Sequence, residues 1–336
     1  MMSRWPYSGR TMSGPVDTRV LPLSDEAIAE AAWLILAGEP VAVPTETVYG
    51  LAADATNAEA VARIYAAKGR PSFNPLIVHV PNLSAAERIG DFDHNARALA
   101  EQHWPGPLTI VVPLRADAEI AAIVTAGLPT IALRVPAHPA MQMLLKACGR
   151  PLAAPSANAS GRISPTRADH VLRSLRGRIP LLIDGGVTRR GIESTIVAAT
   201  DGALRLLRRG PIEVDAGEFV GSMVEAPGQL ESHYAPRKPL RLDAFQAQDD
   251  EYLIGFGPIA GNVSLSEAGD PVEAAARLFD LLHRADDAPE PRIAVAPVPG
   301  NGIAASIRDR LRRAAAPRSP ATETAATSTA TPKPKK

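Results

Sequence analysis

The 336-residue sequence predicts an α/β protein of the α+β kind: a twisted, mixed, open sheet with flanking helices, followed by a small C-terminal α/β domain. Three observations carry this. Short continuous apolar runs such as VAVP, LIVHV, LTIVVPL and TIALRVP have the length and β-branched content of strands buried on both faces. Capped helical stretches interrupt those runs, so helices fall between strands. After Pro211 the pattern changes, and Pro-Gly and Ala-Pro breaks precede a second, shorter alternation of strand and helix.

The elements follow in order. Residues 1–18 contain Arg but no apolar h-region, so they read as a disordered leader and not as a secretory signal. Ser24 caps a helix through AIAEAAWLILAG, with acidic residues in its first turn and Gly38 at its end. VAVPT is a strand. Asn57 caps AEAVARIYAAK, which Gly69 stops and Pro71 seals, and LIVHV is the next strand. A helix near Ala96–Gln102, the strands LTIVVPL and TIALRVP, and a helix after His138 come next. The strand PLAAP, a helix near Ala168–Leu175 and the strands LLIDGG, STIVAAT and ALRLLRRG complete a domain over 19–223. A linker is expected over 224–238. EYLIGF, a helix over Pro271–His283, RIAVAPV and a helix over Ile303–Ala315 make a module over 239–316. The Thr/Ala/Pro-rich tail, 317–336, lacks the apolar mass to offset ordering entropy and is expected to be disordered.

Composition excludes several functions. Lys+Arg and Asp+Glu are both 36, so no whole-molecule basic field favours general nucleic-acid binding. One cysteine, Cys148, permits no intrachain disulfide and points to the cytoplasm. No apolar run approaches the ~18 residues of a membrane span, so no membrane association is expected. P-loop, H-E-x-x-H, C-x-x-C and G-x-S-x-G patterns are missing. Gly255-Phe256-Gly257 with Gly261 has the wrong spacing for a dinucleotide fingerprint and reads as a plain loop. His94, His103, His170 and His283 lack metal-ligand spacing, and His138 reads as structural.

Polar residues instead collect at strand ends. Lys68 and Arg70 lie just past a helix end, where complementing the helix dipole would suffice to explain them. Gly69 frees the backbone between them, however, and Pro71 fixes its direction, so both cations can face one crevice and clamp a polyphosphate. Asn74 and His79 would line the same crevice. Ala153-Ala154-Pro155-Ser156-Ala157-Asn158 is a turn of small residues that lets a ligand approach the backbone. Asp184-Gly185-Gly186 and Arg208-Arg209 end further strands, and Ser194 begins one. In open α/β sheets ligands bind beyond strand ends, so a site for a nucleotide and a small zwitterion follows.

Taken in order, PTETVYGL, KGRPSFNPLIVHV, WPGPLT, TIALRVPAHP, AAPSANASGRISPT, LIDGG, GIESTI, LLRRGPI and HYAP span about Val41 to Pro236. With them the sequence resembles the YrdC-type threonylcarbamoyl-AMP synthase family, in its longer two-domain form. The resemblance implies a YrdC-like sheet and a nucleotidyltransferase reaction. L-threonine, bicarbonate and ATP would give threonylcarbamoyl-AMP and pyrophosphate. Downstream tRNA threonylcarbamoyl transferase proteins would then pass the threonylcarbamoyl group to an adenosine of certain tRNAs.

The resemblance also assigns residues. Thr47, His79, Arg134 and Ser194 would contact threonine, with Ala154 lending a backbone group. Lys68, Arg70, Asn74, Ser156, Ser164 and Arg208 would hold ATP, joined by Thr130 through its backbone and Tyr234 from the linker. Lys68 and Arg70 would be the catalytic charges on the phosphates, helped by Mg2+ arriving with ATP. No tightly bound cofactor and no metal held by the protein are expected. Gly228-Gln229-Leu230-Glu231-Ser232, before HYAP, lacks the basic residues that some family members carry there. The stretch from Gly302 to Leu311 resembles the family's second domain less strongly. The rival reading is an RNA-binding module of the same fold, presenting Lys68, Arg70, Arg208 and Arg209 to a phosphate backbone.

Overall fold

Local chemistry sets where the helices begin. Ser24 Oγ accepts from the Ala27 amide, Asn57 Oδ1 from those of Glu59 and Ala60, and His138 Nδ1 from that of Ala140, so three helices start where the sequence places them. The computed structural model describes residues 16–218, 225–227 and 232–317. The large domain runs β1 (Arg19–Pro22), α1 (Asp25–Leu36), β2 (Val41–Pro44), β3 (Tyr49–Asp54), α2 (Ala58–Lys68), β4 (Ile77–His79), α3 (Leu83–Glu87), α4 (His94–His103) and β5 (Leu108–Pro113). It continues with α5 (Ala122–Thr125), β6 (Thr130–Arg134), α6 (Pro139–Cys148), β7 (Leu152–Ala153), α7 (Ala168–Leu175), β8 (Leu181–Asp184), β9 (Thr195–Ala199), β10 (Leu204–Arg208) and β11 (Gly217–Glu218). The second module has β12 (Leu240–Arg241), β13 (Glu251–Gly255), β14 (Val263–Ser264), α8 (Pro271–Asp287), β15 (Arg292–Val295) and α9 (Ile303–Ala315).

Among the described residues, the first sheet has 11 strands in the order β1-β8-β2-β3-β7-β4-β6-β5-β9-β10-β11. Parallel and antiparallel pairs alternate irregularly, as a mixed sheet requires. The second sheet, β12-β15-β13-β14, is parallel throughout. Both agree with the predicted architecture.

Strand alternation sorts side chains by face. One face carries Ala53, Val78, Leu133, Ile110 and Val197, packed under α2, α4 and α7. On the other face, α1 and α6 cover Val41, Val43, Ala52 and Leu152. That cover ends beyond β7. On the same face Ile77, Val111, Ala132, Ile196, Ala198 and Leu207 form a small aliphatic floor, joined by Ala226 from the segment after β11.

The second module has its own core around Leu278, Phe279, Leu282, Ile293 and Ile307. Val48, Ile163, Ile192 and Tyr234 join that core, so the module and the connecting segment pack onto the large domain beside the floor.

Five strands go beyond the sequence reading: the two-residue β11, β12 and β14, and, more consequentially, β1 and β3. β1 begins at Arg19, directly after the expected leader, and the leader's last residues are tied down. The Val16 amide donates to Gly177 O (3.1 Å) and the Thr18 hydroxyl to Ile179 O (2.7 Å). β3 went unpredicted because Tyr-Gly-Leu-Ala-Ala-Asp carries little β-branched content, and pairing with β2 and β7 overrides its weak propensity. Residues 1–15 of the leader, 224 and 228–231 of the linker and 318–336 of the tail lie outside the described residues.

Candidate active site

Each residue type reaches the site by strand register. His79 pairs with Arg134, at the ends of β4 and β6. Both share a face with Ile77 and Ala132. Arg208 pairs with Ile196, so Arg208 and Ser194 belong to that face too. The turn from β2 to β3 brings Thr45 and Thr47, and the segment after β7 brings Ala154 and Ser156. A narrow cleft opens there, lined by Thr47, Arg70, His79, Arg134, Ala154, Ser156, Ser194 and Arg208, with Glu193, His233 and Tyr234 closing it. A larger hollow, about 880 Å3, lies between Arg88, Asp117, Lys146 and Arg150. Size does not make it the better candidate: it lacks what the smaller cleft has, buried polar atoms with no partner.

Three such atoms belong to the cleft: His79 Nδ1, His233 Nδ1 and the Tyr234 hydroxyl. Leaving a buried polar atom unpaired costs about 1–3 kcal/mol. Three together mark a place where a ligand supplies the partners. Tyr234 also holds φ +63°, a left-handed backbone that a non-glycine residue adopts at a cost of about 1–2 kcal/mol.

The cleft is strongly cationic. Burial, then the cations Arg70, Lys68, Arg208 and Arg310, push the His233 imidazole well below its ordinary range. Burial, then Arg134, push His79 down to about 3, so it is a neutral imidazole. Burial lowers Arg70 to about 10, still fully charged at neutral pH. Four cations within electrostatic reach of one imidazole suit a polyanion.

The anchoring is specific. The half-buried Arg70 donates from Nε to Asn74 O (3.1 Å) and from a terminal nitrogen to Asn74 Oδ1 (2.7 Å) and Pro75 O (2.8 Å). Asn74 therefore acts on Arg70 and not on the cleft lining. Lys68 Nζ donates to Ser156 O and Asn158 O, both at 2.5 Å, and is only 3% exposed. It pins the 156–158 turn from behind. Arg134 is clamped by Glu46 Oε1 (2.6 Å), Thr47 Oγ1 (3.1 Å) and Gly106 O (3.2 Å). A guanidinium has five N–H donors, so two remain for a carboxylate. Ser194 Oγ bonds Thr109 Oγ1 (2.8 Å) and accepts from Arg208 (3.0 Å). The Ala154 amide is taken by Ile77 O (3.0 Å), leaving its carbonyl to lend.

The structure thus brings together nine of the residues named from sequence: Thr47, Arg70, His79, Arg134, Ala154, Ser156, Ser194, Arg208 and Tyr234. Lys68 and Asn74 stand one layer behind. Ser164 Oγ is bonded to Glu193 Oε1, also behind the lining. Thr130 shares the face of Ala132 and Arg134 but sits four residues from Arg134, ~13 Å along the strand, beyond the lining. Glu46, Thr109, Glu193, His233 and Arg310 were not named as site residues. A lone polar residue in an apolar run flags Thr109. Its place in the apolar stripe Ile303, Ile307, Arg310, Ala314 flags Arg310.

A cationic cleft at the ends of sheet strands, with an aliphatic floor, a clamped guanidinium and a covering segment, defines a nucleotide-binding α/β enzyme. Comparison with known proteins narrows this. The family described as "Telomere recombination" (Sua5, YciO, YrdC) matches residues 34–210, and "Threonylcarbamoyl-AMP synthase, C-terminal domain" matches 187–316. A threonylcarbamoyl-AMP synthase of Bacillus subtilis is 40% identical, over 89% of this chain and 95% of its own length. One from Pyrococcus abyssi is 38% identical, over 84% and 92%. The crystal structure of P. abyssi Sua5 complexed with L-threonine superposes with a TM-score of 0.81 at 33% identity, covering 89% of this chain and 97% of that one. E. coli YciO, at 21% identity and TM-score 0.53, shares the fold of the large domain. The chain belongs to the two-domain threonylcarbamoyl-AMP synthase family.

Proposed function

We propose that this protein is an L-threonylcarbamoyladenylate synthase: it condenses L-threonine, bicarbonate and ATP to threonylcarbamoyl-AMP and pyrophosphate. The observation that carries the reading is the juxtaposition, in one cleft, of a carboxylate-sized clamp at Arg134 and Thr47 with the cations Arg70 and Arg208. The related P. abyssi protein holds L-threonine in a structure of this fold.

In this reading Arg134 takes the threonine carboxylate with its two remaining donors. Thr47, His79, Ser194 and the Ala154 carbonyl surround the amino acid. The amine takes up CO2 derived from bicarbonate and forms a carbamate. A carbamate oxygen attacks the α-phosphorus, the bond to the bridging oxygen breaks, and pyrophosphate leaves. Arg70 and Arg208 face the phosphates, with Ser156 at the rim, and stabilise the charge on the departing pyrophosphate. Lys68 and Asn74 support this from behind, Lys68 by fixing the Ser156 turn and Asn74 by aiming Arg70. Tyr234 covers the nucleotide, while Ser164, engaged with Glu193 behind the lining, and Thr130, beyond it, take no direct part in this reading. Mg2+ would arrive with ATP and offset phosphate charge beside Arg70 and Arg208. The Glu193 carboxylate of the lining is already engaged by Arg310 and Ser164.

The product is a mixed anhydride that water destroys, so a tRNA threonylcarbamoyl transferase must consume it. No helix among the described residues is long and apolar enough to cross a membrane, and we place the reaction in the cytoplasm. Incubating the purified chain with ATP, bicarbonate and threonine should yield the adenylate by mass spectrometry, with pyrophosphate released only when threonine is present. Salt-sensitive RNA binding without threonine-dependent turnover would overturn the reading in favour of an RNA-binding module.

A further inference from the structure

We propose that Arg310, on the last helix of the C-terminal module, is a positioning residue for ATP: it holds the Glu193 carboxylate away from Arg208 and backs the Tyr234 ring. This rests on the functional reading above and explains how a module remote in sequence bears on the nucleotide.

Arg310 is fully buried, at 0% exposure. Its Nε donates to Glu193 Oε2 (3.0 Å), one terminal nitrogen to Asp309 Oδ2 (2.9 Å) and the other to Arg209 O (2.9 Å). Its guanidinium carbon lies 5.3 Å from the Tyr234 ring centroid, within cation–π range. The helix is docked one turn earlier, where Ser306 Oγ donates to Gly210 O (3.0 Å). One side chain therefore touches the entry to β9, the exit from β10 and the covering segment.

The electrostatic consequence concerns Glu193. It lines the cleft, and it precedes Ser194, whose carbonyl and hydroxyl hold Arg208 (both 3.0 Å). Among the described residues Arg208 donates to Ser194 and to Pro227 O (3.4 Å), none of them a carboxylate. Glu193 spends its charge on Arg310 and its second oxygen on Ser164. Removing the Arg310 charge leaves a carboxylate at the wall of a site built for a triphosphate. It would then repel the phosphates and compete for Arg208.

The test is steady-state pyrophosphate release, with separate KM values for ATP and threonine, and nucleotide binding followed directly with a fluorescent ATP analogue. Variants are Arg310→Met, Arg310→Lys, Glu193→Gln and the Arg310→Met/Glu193→Gln pair. One uncompensated charge ~10 Å from the phosphates at an effective dielectric of ~20 weakens ATP binding roughly tenfold. Arg310→Met should therefore raise the ATP KM about tenfold while the threonine KM moves less than about twofold. Arg310→Lys should fall between, and the pair should recover most of the loss. Equal losses in both KM values with no recovery in the pair would show a merely structural role and overturn the proposal. If Arg310→Met does not fold, Glu193→Gln decides alone: an unchanged or lower ATP KM supports the proposal, and a raised one overturns it. Wild-type chain that binds the analogue but forms no adenylate would instead defeat the functional reading, and the binding series would still read the role of Arg310.

Discussion

Lowering the pH from 7.5 to 5 should loosen the seam between the two modules. At that seam His170 of α7 stacks on His283 of α8, ring centroids 3.8 Å apart. His170 Nδ1 accepts from the Thr166 amide (3.3 Å) and its Nε2 faces Asp280 (3.5 Å), while His283 Nε2 donates to Ser164 O (3.2 Å). The charged groups around them are Arg167, Asp169 and Arg173 from the α7 side and Asp280, Arg284, Asp286 and Asp287 from α8. Burial, then the neighbouring His283, push His170 down to about 3, and burial pushes His283 down to about 4. The unfolded chain protonates near 6.5, well before the folded one. Stability is therefore complete above about pH 6.5 and is lost as pH falls toward 4. At pH 5 the gap between 5 and 6.5 is worth about 2 kcal/mol per histidine, or about 4 kcal/mol for the pair. Urea unfolding of wild type at pH 7.5 and 5, set against His170→Asn/His283→Gln, measures this. His79 titrates in both proteins and cancels. If the double variant loses as much stability as wild type between those two pH values, the seam is not the source and the reasoning fails.

Four other perturbations probe the cleft and the docking. Arg70→Ala should reduce threonine-dependent pyrophosphate release by ~100-fold, chiefly through charge lost at the phosphates, and an unchanged rate would remove it from the site. Lys68→Ala should lower both rate and thermal midpoint, because it frees two carbonyls of the 156–158 turn. A lowered rate at unchanged midpoint would mean that Lys68 acts on substrate directly. Glu46→Gln removes the carboxylate charge 2.6 Å from the buried Arg134, 4% exposed, and should cost about 3 kcal/mol and raise the threonine KM, read by calorimetry and kinetics together. Gly191 has φ +71°, and a Cβ there would lie 2.3 Å from Ala276 O on α8. Gly191→Ala should therefore cost at least ~2 kcal/mol and speed proteolysis between the modules; wild-type resistance would show a loose interface.

What the sequence revealed depended on how local each cause was. α2, α7 and α9 could be placed to the residue because Asn57, Gly69 and the apolar spacing act within a turn or two. β1 was missed because its support is Leu181 and Leu182, far along the chain. Arg134 and Ser194 could be named as site residues, yet Glu46 and Thr109, which hold them, could not. A clamp is a property of two strands in register, and register is not written in either strand alone. Gly255 closes β13 and Gly261 lies in the loop after it, so the plain-loop reading holds for Gly261 and not for Gly255: a Cβ at either would meet backbone within 2.2 and 2.4 Å, and close chain approach explains both.

The first two strands of the chain never touch each other. β8 lies between them, paired in parallel with both, and Arg19 meets Leu181 only after 162 further residues have been made. At a synthesis rate of ~5–20 residues per second that is a wait of roughly 8–30 s on the ribosome. Throughout it β2 presents an unpaired, fully apolar edge. Order of emergence and order of assembly are thus decoupled, and the half-made protein is most vulnerable to aggregation just before its eighth strand slots home.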